Sequence, residues 1–358
     1  MDTFDHEARG SEGDDGFRNA VAPIARVRER TRRAGAGPAL LAAGLGALAV
    51  CLAAFASAEP PPTPPGDVVV WAADRDGSRV FGLDSELRVA RRIPVDFPLD
   101  IEPSHDGGLW VLRAETALST ATHRLDRFDA TGALVTELWI ERVVDLDILA
   151  AGEKALIVEL RAGSLPRLVR VSTEGSVFTL IERPQLRSVV GERASAIVGT
   201  SDGAVFRIHA VSGAVLASAQ IGGNIVDLAP GPAVGEVWAL DDSLGGRILL
   251  LDPSLAVRSF APLARTAAHL AGIRGEERAW VAGTTQPCVT RYGLGGTTEL
   301  DRCDLPLGGF DRTLAWRDGV LVTAVGAILR LDREGKLRPG QGGFDFLVDL
   351  APRSRSDG

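Results

Sequence analysis

Four aspartates recur in one phrase of this 358-residue sequence. Asp100, Asp147, Asp227 and Asp349 each stand inside a short apolar run, in "LDIEP", "LDILA" and the twice-written "VDLAP". His269 in "HLAGI" and Arg312 in "RTLAW" take the same place in two further copies. Carboxylates gathered into a small ring repel one another unless they are protonated, hydrogen-bonded or neutralised by a cation. Ca2+ suits an all-oxygen ring of that kind. These six residues form the candidate ligand- or cation-binding set, and no firmer metal site stands beside them. The other role open to each Asp is to accept hydrogen bonds from loop backbone and so cap its own repeat.

Little else in the sequence carries chemistry. There is no G-x-S-x-G, H-E-x-x-H, P-loop or dinucleotide fingerprint. His105, His123 and His209 have no catalytic partner nearby, so no catalytic residue is nominated. Cys288 and Cys303 flank "VTRYGLGGTTELDR", whose midpoint is the hairpin-prone pair Gly295–Gly296. Opposite positions on antiparallel strands meet within reach of a disulfide, which is the expected pairing. Two cysteines with no nearby His do not complete a zinc site.

The elements that position the aspartates are strands. From residue 67 onward, short runs of Val, Leu and Ile, often alternating with polar residues, are separated by Gly, Asp and Pro turns. Trp71, Trp110, Trp238 and Trp280 stand at steps of 39, 128 and 42. An apolar run ending in Asp recurs at Asp84, Asp129, Asp252 and Asp332, at steps of 45, 123 and 80. Both series give a period of about 42 residues, the length of a four-stranded β-propeller blade. The first strand of each blade carries the aspartate phrase, and the tryptophans are expected to wedge between blades. "VVVWAA", "LWVLRA", "ALIVEL", "SAIVGT", "EVWAL", "AWVAG" and "VLVTAV" supply seven second strands. The opening blade lacks a first strand, and the final "FLVDLAP" is a first strand with no blade after it. The expected fold is therefore an all-β propeller of seven blades over 67–353, closed by its C-terminal strand.

"PLDIEPSHDGGLWVLR" (98–113) and "HRLDRFDATGALV" (123–135) resemble the blade phrases of NHL-type propellers and of the related lactonase and lyase propellers. The resemblance implies the fold, and it implies a second functional reading: a cation-dependent lactonase- or lyase-like enzyme with its site at the channel mouth. Those lactonases use Glu, Asn and Asp from separate blades. Asn224 is the only Asn here beyond the first 36 residues, which makes that constellation hard to assemble.

The front end sets the expected compartment. Residues 39–56 carry no charged side chain, and 37–58 reach the length of a membrane-spanning helix. Arg26, Arg28, Arg30, Arg32 and Arg33 precede it, which keeps the N-terminus in the cytoplasm and sends the rest outside. Residues 1–36 are expected as a disordered cytoplasmic tail, 37–58 as a signal anchor, 59–66 as a Pro-rich spacer and 354–358 as a disordered C-terminus. Cleavage after Ala58 would instead release a secreted protein. Lys154 and Lys336 are the only lysines, and the Arg-heavy composition fits a GC-rich bacterial genome. The expected place is the bacterial inner membrane, with the propeller in the periplasm or outside the cell. A formal net charge of −8 argues against nucleic acid as a partner. The leading expectation is a binding or scaffold module for an envelope protein or a glycan.

Overall fold

The branched apolar runs become strands, and the Gly, Asp and Pro clusters become the turns between them. A computed structural model describes residues 68–352, apart from 117–118, 120–121, 150–153, 244, 264–265, 268, 273–274, 284–286, 296, 306–311, 318 and 325. The expected cytoplasmic tail, signal anchor, spacer and C-terminal tail lie outside the described residues. Among the described residues no helix is long and apolar enough to cross a membrane.

The strands form six antiparallel sheets. The first orders β27(Leu347–Pro352), β1(Val70–Asp74), β2(Arg79–Leu83) and β3(Val89–Pro94). The second has seven strands: β4(Pro98–Pro103), β5(Leu109–Ala114), β6(Thr122–Phe128), β7(Leu134–Ile148), β8(Ala155–Leu160), β9(Arg167–Val171) and β10(Val177–Glu182). The third runs β11(Leu186–Gly191), β12(Ser195–Thr200), β13(Ala204–His209), β14(Val215–Gln220). The fourth runs β15(Ile225–Pro230), β16(Val237–Asp241), β17(Arg247–Leu251), β18(Val257–Pro262). The fifth runs β19(His269–Gly272), β20(Arg278–Ala282), β21(Val289–Gly293), β22(Thr298–Arg302). The sixth runs β23(Arg312–Trp316), β24(Gly319–Ala324), β25(Ala327–Leu331), β26(Leu337–Gly342).

The expected four-strand cut fails at one place. β7 is a single strand whose first half pairs with β6 and whose second half pairs with β8. Nothing in "LVTELWIERVVDLDI" breaks an extended chain, since it holds no Gly, Pro or Asn. A register shift between Val143 and Asp145 turns the strand instead. The two halves of this sheet pack on each other, Trp110, Leu112 and Ile140 against Val143, Ala155 and Ile157. Among the described residues the sheets thus make six or seven blade-like units, with seven apolar cores between them.

The tryptophans fill those cores, as their spacing predicts. Trp71, Trp110, Trp238 and Trp280 are buried between neighbouring units. Leu156, Ile197 and Leu321 take the equivalent position where Trp is absent. The second aspartate series has a different task. Asp84, Asp129, Asp252 and Asp332 each accept two backbone N–H bonds from residues two and four ahead, closing the turn between third and fourth strands.

The ring closes between the chain's ends. β27 pairs antiparallel with β1, from Val70 opposite Pro352 to Asp74 opposite Leu347. The innermost strands then touch in cyclic order, β27, β4, β7, β11, β15, β19, β23 and back to β27. Cys288 and Cys303 are disulfide-bonded across the β21–β22 hairpin, adjoining the pair Val289 and Arg302. Closing such a loop contributes on the order of 3 kcal/mol in the chain-entropy model.

Candidate functional site: an acidic chamber on the ring axis

All seven innermost strands line one chamber of about 490 Å³. Asp100, Asp147, Asp227, His269, Arg312 and Asp349, the six residues singled out by spacing, all face it. Glu102, Asp145 and His105 face it as well and were not anticipated. Side chains two apart on a strand share a face, so Glu102 follows from Asp100 and Asp145 from Asp147.

The alignment of the phrases needs one correction. Asp100 lies opposite Leu112, Asp227 opposite Leu240 and Asp349 opposite Ala73, each two residues past the wedge position. In β7 the residue at that level is Asp145, opposite Val158; Asp147 lies two residues further on, opposite Leu156, level with Glu102. "VVDLDI" offers two aspartates on one face, and the text alone matched the wrong one. His269 and Arg312 do share the level, opposite Ala282 and Thr323. Ser188, opposite Gly199, completes it.

The aspartates bind strand backbone rather than the loop backbone expected. Asp227 accepts a bond from the Leu228 amide at 2.8 Å and from the Leu270 amide of the next inner strand at 2.8 Å. Asp349 accepts from the Ile101 amide of β4 at 2.8 Å, and Asp145 from the Val189 amide of β11 at 2.7 Å. Asp147 repeats the pattern with its own Ile148 amide at 2.6 Å and Gly191 at 2.7 Å. Each is a clasp between adjacent inner strands, which share no ladder bonds of their own. Arg312 adds a longer reach, with Nε 3.2 Å from Asp349 and Nη2 3.4 Å from Asp100.

These groups face the chamber yet sit where protein displaces bulk water, and burial dominates their ionisation. It pushes Asp147 up to about 7, against the amide bonds from Gly191 and Ile148. It pushes Asp227 up to about 6, against the pull of Arg312 and of the Leu270 and Leu228 amides. Burial, then neighbouring carboxylates, hold Glu102 and Asp145 well above the usual range. Asp349 is raised in the same way, with Asp100 beside it as the largest charge. Burial drives His269 down to about 3, so its imidazole is neutral. Burial also opposes the charge on Arg312, but Asp100, Asp349, Asp145 and Asp227 outweigh it and keep the guanidinium firmly protonated.

A second cavity of about 410 Å³ opens on the other side of the Asp145, Asp227, His269 and Arg312 level, with Arg187 and Asp242 in its walls. Among the described residues no three His, Cys, Asp or Glu side chains converge to hold a metal ion. The clasps account for this, because they fix the carboxylates on separate strands with oxygens turned to the backbone.

No protein-family model matches the chain, and no curated protein is similar to it in sequence. Solved structures do resemble it. The β-propeller domain of Cps50 (Swd1) from Myceliophteria thermophila matches with a TM-score of 0.56 at 14% identity, over 72% of this chain and 93% of that one. BamB from Moraxella catarrhalis matches with a TM-score of 0.54 at 16% identity, over 79% and 85%. Likeness at such identities is likeness of fold. The fold is that of a β-propeller.

Proposed function

We propose that this chain is a seven-bladed binding propeller, tethered by its N-terminal apolar segment outside the cytoplasm, whose rim docks an envelope protein. One observation carries the reading. The outer strands of successive units expose apolar side chains: Trp139 is 57% exposed on β7, Phe178 54% on β10, Leu216 56% on β14 and Phe260 62% on β18. Exposed apolar groups repeated along one kind of strand mark an interaction surface. The seven cores support the blade count, and the phrasing at 98–113 supports NHL-type ancestry. The disulfide supports an oxidising compartment.

The test is site-specific photo-crosslinking in cells from positions 139, 178, 216 and 260 of the full chain, with position 336 as control. A common crosslinked protein at the rim positions, lost in a Trp139→Glu, Phe178→Glu variant, is the expected result. Crosslinks no different from the control would overturn the rim as docking surface. A cation-dependent enzyme would instead show melting shifts with Ca2+, Mg2+ or Zn2+ that Asp227→Asn and Asp100→Asn abolish.

A further inference from the structure

The axial chamber contains two polar groups that the protein itself leaves unengaged. Nδ1 of His269 is buried without a hydrogen-bond partner. Among the described residues no hydrogen bond or ion pair engages the Glu102 carboxyl, although Asp147, Asp100 and Asp349 act on it through space. Around these two groups, six carboxyl groups face a single guanidinium, which Asp100 and Asp349 already hold. Such walls repel anions and attract cations. The remaining lining includes Leu146, Leu228, Leu314 and Leu350, an apolar surface. A volume near 490 Å³ lies within the range of small-molecule sites.

We propose that the chamber binds a small flexible organic cation bearing two or more primary ammonium groups, an oligoamine. Its ammonium ends pair with the Glu102 and Asp147 carboxyls, its methylene stem lies against Leu228 and Leu314, and His269 accepts a hydrogen bond. A bare divalent ion fits less well, because among the described residues no three ligating side chains converge. An ammonium group needs no such convergence, since each of its three donors can meet a different acceptor. Binding should draw protons from the carboxyls that burial keeps protonated, and those protons go to the buffer.

The probe is spermidine, titrated calorimetrically into the full-length protein at pH 7 in two buffers of different ionisation enthalpy. One saturable site per chain is expected, with a heat that depends on the buffer. Glu102→Gln should weaken it about tenfold or more, the loss of one charge-assisted contact. Among the described residues the Glu102 carboxyl has no hydrogen-bond or ion-pair partner, so that variant should melt no lower than the parent. His269→Gln should weaken binding too, and Trp139→Glu should leave it unchanged, which separates this site from the rim. Heats that vanish at about 0.15 M salt, where screening acts within about 8 Å, would mark surface adsorption and overturn the proposal. So would tighter binding of Ca2+ than of spermidine, or an affinity unaltered in Glu102→Gln.

Discussion

Arg312 Nε lies 3.2 Å from Asp349, on the strand that closes the ring, and its Nη2 lies 3.4 Å from Asp100 one strand beyond. One side chain from β23 thus spans the two inner strands on either side of the seam between the chain's ends. Asp349 in turn accepts the Ile101 amide, which completes a chain of contacts from β23 to β4. Removing the guanidinium leaves two neighbouring buried carboxyls facing each other. Arg312→Met should lose about 3 kcal/mol, the usual penalty for breaking a buried pair from one side. The loss should shrink at pH 5, where burial and the neighbouring Asp100 charge favour the protonated form of Asp349, and shrink again in Arg312→Met, Asp349→Asn. Urea unfolding of the parent and the two variants at pH 5 and 8 measures all of this.

Close approach of the inner strands yields a second expectation. A Cβ on Gly191 would lie 1.9 Å from the Ile148 carbonyl oxygen of the neighbouring inner strand, and one on Gly272 would lie 2.2 Å from the Pro230 oxygen. Backbone cannot yield as a flexible side chain does. Gly191→Ala should therefore destabilise by about 1–3 kcal/mol, the range for overpacked sites. Gly295→Ala meets no atom within 4 Å but sits at φ +87°, so its penalty is backbone strain alone. Comparing the two melting temperatures separates crowding at the axis from turn strain at the rim.

The repeat was legible because wedge and turn chemistry recur with the blade: the tryptophans, the turn aspartates and the unmatched "VDLAP" at the end all predict what is found. What the text hid is where two signals coincide or none is present. β7 carries two aspartates at alternate positions and no breaker, so both its register and its continuity across two units were misread. Leu156, Ile197 and Leu321 do the work of tryptophan without its signature. The acidic level was visible as a repeat of one residue type. Its bonding across strands was not, since an Asp that clasps the next blade and one that caps its own loop are spelled alike.

The raised acids set a pH dependence. Asp147 titrates near 7 in the folded protein, and a free Asp near 3.8. Between about pH 4 and 7 the unfolded chain has already lost that proton while the folded chain still holds it. The folded state therefore binds more protons, and stability falls as pH rises. His269 acts in the opposite sense over an overlapping window: folded near 3 and unfolded near 6.5, it removes stability as pH drops below about 6.5. The stability that Asp147 contributes should therefore be lost between about pH 4 and 7 and stay level above, while that of His269 is lost as pH falls below about 6.5. Relative to the parent, Asp147→Asn should gain melting temperature as pH rises from about 4 to 7, and a difference that stays constant over that range would assign the titration to other groups.

The seam gives the most direct test of closure. β27 buries Leu347, Leu350 and Ala351 against the first sheet and supplies Asp349 to both Arg312 and the Ile101 amide. Each buried Leu is worth about 1.5–3 kcal/mol, so loss of the strand removes a large part of a typical domain's net stability. It also bares β1 as an open edge. A chain ending at Phe346 should melt well below the parent and self-associate through that edge. A synthetic peptide of residues 346–353, added in excess, should pair with β1 and restore the melting temperature by strand addition. The same peptide with Asp349 changed to Asn should restore less, because it fills the ladder without the carboxylate that ties β4 and β23 to the seam. Full stability in the shortened chain, or equal rescue by both peptides, would show that the ring holds without this clasp.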